Sequence, residues 1–391
     1  VLFIGMLLLG VAVVLLCWPA DLPTSTPAFW ISVIGFPIGV PAWIVLRRFS
    51  AYEGKQLDAS LHNEVVQAYN TQVFQAASVP LRILGAATRF SSYPEEQDLA
   101  RVRSGALRLA VQAPIADTGE PVKARWLVTP GMRTSAGRAE DDRRRRREVT
   151  AWLFDELLAE ISDKIQSLPM QLDIAVRLHI ANQFTPRENE ALWQERWHAK
   201  PLRATQTPVS DAPPSLMFLD QWMDAALEGE ADCAILLVSV QLHGLLADTP
   251  PAGTAEAGVA LLLVPESHAS KHRLSGVAAL HRPVRGRFSD AREAISRALM
   301  WGGLSGDRTV GGWQTGVSAS EAGRLREASL ALGMHGRPVE IDQTIGDARA
   351  AAPWLAIACA ALSMGGNGQC PVIFVGEPDR FDCAILKPID R

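Results

Sequence analysis

The sequence predicts a layered α/β domain preceded by a hairpin of two apolar helices. Two observations carry the domain. Continuous apolar runs such as CAILLVSVQ (Cys233–Gln241) and VALLLVPE (Val259–Glu266) suit strands buried on both faces, and such runs alternate with segments of helical period. A third observation carries the hairpin. The front of the chain, VLFIGMLLLGVAVVLLCW, holds no charge, and after DLPTSTPA a second apolar run follows.

The first run, Val1 to Trp18, is long enough to cross a bilayer as a helix. The second, FWISVIGFPIGVPAWIVL (Phe29 to Leu46), has Trp30 and Trp43 near its ends, where interfacial anchors sit. Pro37 and Pro41 weaken it less than they would weaken a soluble helix. Arg47 and Arg48 follow directly, so the excess of positive charge places the large C-terminal domain on the cytoplasmic side of an inner membrane. The competing reading is a secretory signal peptide, but no Ala-x-Ala follows the first run.

Tyr52 to Ala77 reads as a connecting helix ended by Pro80, and LRILGAATR (Leu81–Arg89) as a strand with Gly85 inside it. VKARWLVTP (Val122–Pro130) is a further strand candidate. The five arginines Arg143–Arg147, flanked by Glu140, Asp141, Asp142 and Glu148, read as a solvated helix start in preference to a phosphate patch. LDIAVRLHI (Leu172–Ile180) alternates as a strand does. The Trp- and Pro-rich stretch Asn182–Pro214 reads as an insertion, and Ser215–Asp232 as a helix.

Beyond Glu266, SDAREAISRALMW and EAGRLREASLALG are helical, TVGGWQTGVSA and RPVEIDQT are strand-like, and PVIFVGEPDRFDCAILKP is two strands about a turn. The expected divisions are a hairpin (1–48), a connecting helix (49–79), a first half (80–266, with the insertion 182–214) and a second half (267–391).

Composition excludes more than it assigns. At 391 residues, 48% apolar and 20% charged, the chain can bury one large core or two ordinary ones. A net charge of −4 gives no broad electrostatic reason to bind nucleic acid. The five cysteines, Cys17, Cys233, Cys359, Cys370 and Cys383, include no CxxC pair and suit buried thiols in a reducing compartment. His268 and His272 stand four apart without a third ligand nearby, so no metal is expected. No GxSxG, Walker loop or GxGxxG is present, and the glycines of WGGLSGD and TVGGW serve turns and close packing.

The order of AALEGEADCAILLVSV, EAGVALLLVPE, TIGDARAAAPWLAIACAAL and the terminal strand pair resembles the thiolase and β-ketoacyl synthase fold, a layered αβαβα architecture. The resemblance covers about Leu81 to Pro388. It implies a nucleophilic cysteine at a helix N-terminus, where the dipole favours a thiolate, and two histidines that stabilise an enolate. Matching residue by residue puts the nucleophile near Pro213, the first histidine at Trp313-Gln314 and the second at Asp347, which is expected instead to cap the following helix.

The whole plan, hairpin plus degenerate thiolase-like domain, resembles the type VI secretion lipase adaptor family. That resemblance implies a protein without cofactor that binds a lipase effector and a spike protein, with a homodimer as the habit of the fold. Trp193, Trp197 and Leu202 of the insertion are candidate partner-binding residues, with filling of the core edge as the competing role. The alternative function is an acyl-group enzyme with rearranged residues, using Ser215 or Cys370. A third is an immunity protein against a lipase.

Overall fold

The computed structural model describes all residues except 1, 118, 133, 204, 206–214, 230–232, 365–369 and 390–391. It divides into two compact units, Val1–Gln75 and Ala76–Arg391.

The first unit is a helical hairpin. Helix α1 (Leu2–Cys17) turns into α2 (Pro27–Ala77), whose last two residues belong to the second unit. The two helices touch at Gly10, where a Cβ would come within 3.0 Å of Pro37 Cα. Trp18 and Phe29 close the turn edge-to-face, 5.0 Å between ring centres. The expected second span and connecting helix are one 51-residue helix, because RRFSA between them holds neither Pro nor Gly to stop it. Among the described residues α2 is the one helix long and apolar enough to cross a membrane; α1, at 16 residues, is shorter than the usual span.

The second unit opens with β1 (Leu81–Arg89), α3 (Leu99–Arg103), β2 (Val111–Gln112) and β3 (Val122–Lys123). Next come α4 (Ala139–Gln166), β4 (Asp173–Ala181), α5 (Pro186–His198), α6 (Met217–Leu227), β5 (Cys233–Gln241), β6 (Ala257–Pro265) and α7 (Glu266–Lys271). The remainder is β7 (Ala278–Leu280), β8 (Val284–Arg287), α8 (Ala291–Gly302), β9 (Thr309–Thr315), α9 (Ala319–Ala331) and β10 (Val339–Glu340). Short α10 (Ile341–Thr344) and α11 (Ala352–Leu362) precede the closing strands β11 (Cys370–Glu377) and β12 (Arg380–Lys387). The expected strand Val122–Pro130 shrinks to β3. Past it, Arg125 makes only an isolated bridge to Ala255, leaving the rest as loop.

One ten-stranded sheet runs β10-β9-β11-β12-β7-β1-β6-β5-β4, with β8 also on β12. It contains an internal repeat. β4 lies parallel to β5 as β9 lies parallel to β11, and β5–β6 and β11–β12 are antiparallel pairs. β6 then pairs with β1 as β12 pairs with β8. In the second half β10 adds a further parallel strand outside β9. The matching place outside β4 holds no strand among the described residues.

Alternation along the strands sorts side chains into layers. Ile235 and Leu237 of β5 face a central core with α6 and α11, while Leu236 and Val238 face α4 and α5. A third core holds α8 and α9 against Phe374 and Ile385. Two helical layers outside and one between two stretches of sheet give the expected αβαβα order. Burial on both faces explains the unbroken apolar runs of β5 and β6. The central helix α11 is buried from Ala352 to Ala361, and its alanines let two sheet faces approach it.

The arginine run divides on folding, which corrects its reading as a solvated helix start. Arg143 and Arg144 are exposed, but Arg145 and Arg146 are buried. Arg145 grips Glu256 with both terminal nitrogens, at 3.0 and 2.5 Å, and donates to the Leu127 carbonyl at 2.7 Å. Glu256 in turn accepts the N–H groups of Leu127 and His243. One turn earlier, Asp142 accepts three successive backbone N–H groups, those of Leu245, Leu246 and Ala247. A run of like charges reads as surface because sequence does not reveal a buried carboxylate more than a hundred residues away.

Arg145→Leu leaves Glu256 charged and unpaired, so it should lower the unfolding free energy by about 3–5 kcal/mol, measured by denaturant titration of the membrane-reconstituted chain. His281 supplies a pH test. Burial, helped by Lys387, pushes its pKa from 6.5 to about 4, against a backbone hydrogen bond involving Trp301. The unfolded state then binds the extra proton, so stability is full above about pH 6.5 and falls as the pH drops towards 4. That loss, about 3 kcal/mol from the shift, should vanish in His281→Asn when unfolding is followed between pH 7 and 4.

Candidate functional site

The loop Gly346–Ala351 lies across the carboxyl ends of the first-half strands, where ligands of open α/β sheets bind. Its geometry begins with Gly346, at φ +113°, where a Cβ would stand 2.7 Å from Ala255 Cβ. Only glycine lets the loop pass so close. The next residue is bound on both sides, Asp347 N–H donating to Gly253 O at 2.8 Å and its carbonyl accepting from Ala255 N at 2.9 Å. Ser239 Oγ donates to the Ala350 carbonyl at 3.0 Å, tying the loop to β5.

Asp347 does not cap α11 as expected: that helix starts five residues later, at Ala352, without a side-chain cap. The Asp347 Oδ1 accepts the Arg349 N–H at 2.8 Å, at the start of the short 3-10 turn Arg349–Ala351 that leads into α11. The carboxylate is partly exposed, with Arg349 Nε 3.9 Å from Oδ2. An ionised carboxylate has no proton to donate, so it cannot supply the hydrogen bond that an imidazole would give a developing enolate.

Trp313 is 2% exposed and packs in the central core with α11, its backbone paired to Val339 and Ile373. Gln314 points to the opposite face of the sheet, beside Phe374. Neither offers a titrating nitrogen. Pro213, the position matched to the nucleophile, lies outside the described residues.

The two substitute nucleophiles are placed by the structure. Ser215, at the start of α6, donates to Asp382 Oδ2 at 3.2 Å and accepts from Arg285 Nη2 at 2.6 Å and Met217 N at 3.2 Å. Asp382 is fully buried and pairs with Arg285, so this hydroxyl is held by an ion pair and has no imidazole base beside it. Cys370 is buried, and that burial pushes its thiol up, with Lys387 and Arg308 opposing. Cys359 and Cys383 are pushed up further by complete burial. Each upward shift lowers the thiolate fraction available for attack at neutral pH.

The partner-binding candidates require a correction. Trp193 and Trp197 are fully buried: Trp193 meets Phe154 edge-on at 5.0 Å, and Trp197 donates through Nε1 to the Arg203 carbonyl at 2.9 Å. Leu202 packs against the same cluster, half-buried. These side chains fasten α5 to α4 and present no anchor to a partner. The segment is less irregular than its composition suggests, because Thr185 and Glu188 form a capping box that starts α5 with Pro186 in its first turn.

Solved structures place this architecture. The ishigamide ketosynthase/chain length factor superposes with a TM-score of 0.53 at 17% identity, over 80% of this chain and all of that one. The module 6 ketosynthase of the Bacillus subtilis 168 bacillaene synthase gives 0.55 at 12%, over 80% of this chain and 71% of that one. The fold is thiolase-like. A type II polyketide synthase ketosynthase in complex with its acyl-carrier protein gives 0.53 at 12%, over 79% of this chain and 99% of that one. No protein-family model and no curated protein sequence matches the chain. At these identities the likeness is one of fold, and the thiolase-like halves correspond to the internal repeat described above.

The thiol environments make a direct test. Iodoacetamide at pH 8 should leave Cys359, Cys370 and Cys383 of the native protein unmodified and label all three after unfolding, read by peptide mass spectrometry. Rapid native labelling of Cys370 would reveal a thiolate and return it to consideration as a nucleophile.

Proposed function

We propose that the chain is a non-catalytic adaptor, anchored in the inner membrane with its thiolase-like domain in the cytoplasm, that binds a type VI secretion lipase effector and helps load it onto the spike. The observation that carries the reading is the state of the reacting positions. Where thiolase-like chemistry needs imidazoles, this chain has a tryptophan buried in the core and an aspartate whose carboxylate accepts a neighbouring backbone N–H. The engagement of Ser215 in an ion pair and the raised thiol of Cys370 weigh against substitute nucleophiles. The apolar length of α2 is consistent with a tether. The resemblance of the whole plan to the lipase adaptor family supplies the identity of the partners.

The adaptor role is tested by tagging the chain in its native bacterium and purifying it in mild detergent, with co-purifying proteins identified by mass spectrometry. A lipase effector and a spike protein should appear in near-stoichiometric amounts, and export of that lipase should fail when the chain is deleted. Retention of full export in the deletion strain would sink the proposal. Protection of the host from the toxin without any effect on export would point to immunity instead. Turnover of acyl-CoA by the purified chain, lost in Ser215→Ala or Cys370→Ala, would favour the enzyme.

A further inference from the structure

A cavity of about 360 Å³ lies on the outer side of the second half, between β9, α9 and the segment Met334–Glu340. It is separate from the Asp347 loop. Its volume falls within the range of small-molecule sites. Close backbone contact builds one wall: a Cβ at Gly336 would sit 1.7 Å from Gly311 N, and one at Gly311 would sit 2.3 Å from the Arg337 carbonyl. Two glycines therefore press the segment onto β9 and fix where Arg337 emerges.

Two polar side chains in this cavity lack partners. Gln314 is 4% exposed and Ser329 is 8% exposed, and both line the space. Neither side chain has a hydrogen-bond partner among the described residues. Gln314 is aimed there by strand register, since it sits opposite Phe374 and on the face away from Trp313. The polar atoms of Gln314 and Ser329 open onto the cavity, where they can donate to and accept from a molecule held there.

Charge defines the ligand further. Arg326 reaches the cavity from α9 without an acidic partner among the described residues. Arg337 is 3.5 Å from Glu340, which is the one acidic side chain lining the space. Two guanidiniums against one carboxylate leave a single positive charge, with His335 able to donate beside them. Apolar side chains line much of the remaining wall, among them Val317, Leu330, Met334, Val372 and Phe374, with Thr309 and Gln343 as further polar groups.

We propose that this cavity binds a small monoanionic amphiphile. Its carboxylate lies against Arg326 and Arg337, with Gln314 and Ser329 as further donors. Its apolar body, of about ten heavy atoms, lies against Met334 and Phe374. The proposal does not depend on the adaptor reading, because the donors and the apolar wall are present whatever partner the chain has.

The probe is 4-phenylbutyrate, measured by equilibrium dialysis against the full chain in lipid nanodiscs with empty nanodiscs as the blank. Saturable binding of one probe per chain is expected. 4-Phenylbutanol, which lacks the charge, and acetate, which lacks the body, should each bind at least about tenfold more weakly, the scale of one lost charge-assisted contact.

Arg326 is exposed, so Arg326→Glu should keep the native melting temperature while weakening the probe by a similar factor. Ala322→Trp, which plugs the cavity from α9, should do the same without altering charge. No saturation at millimolar probe, equal affinity for all three molecules, or undiminished binding by Arg326→Glu would each overturn the site.

Discussion

The buried pair between Arg145 and Glu256 is the contact on which the first half of the domain depends. Glu256 stands immediately before β6, and its two oxygens serve four donors: two on Arg145, one on Leu127 and one on His243. Both side chains are almost wholly out of water, at 2% and 1% exposure. Such a pair depends on further hydrogen bonds to offset its desolvation, and the carbonyl of Leu127 supplies one to Arg145. The arrangement joins four segments distant in sequence: the loop after β3, the first turns of α4, the loop behind β5 and the strand entering β6. With Asp142 holding three further N–H groups of that loop, the carboxyl ends of the strands are fixed, and so is the ledge on which the Asp347 loop rests.

Internal repetition organises the rest, and its failures are as informative as its matches. Both halves use a parallel pair followed by an antiparallel return, so the same stacking of strand on helix recurs. The second half completes its edge with the two-residue β10, whereas the first half has no described strand in the equivalent place. The central helices differ too. α11 has five alanines among its eleven residues and is buried from Ala352 to Ala361, while α6 brings the larger Trp222 and Phe218 to the same core. A duplicated fold has thus kept its hydrogen-bond plan while its two copies diverged in side-chain volume and edge coverage.

The fold was legible in the sequence because its signals are local. Cys233–Gln241 forms a strand with the bounds its apolar run suggests, and Leu81–Arg89 forms the expected strand with a bulge between Ile83 and Gly85. The capping expectation for Asp347 was only half legible: its carboxylate does bind a backbone N–H two residues on, but the intervening 3-10 turn keeps it from α11. What sequence missed depends on distance. Arg145 needs Glu256, Ser215 needs Arg285 and Asp382, and no spacing along the chain announces those partners. The tryptophans of α5 misled for a related reason: an aromatic-rich insertion reads as a surface until a second helix is found lying on it. Gln314 was read with Trp313 as the place of a lost histidine, and only the strand register shows that it turns to the opposite face, onto the cavity beside α9.

The unbroken course of α2 sets a length scale. At 1.5 Å per residue its 51 residues span about 75 Å, while the hydrocarbon of a bilayer is only about 30 Å thick. With the apolar stretch Phe29–Leu46 in a membrane, some 45 Å of helix would project beyond it as a stalk.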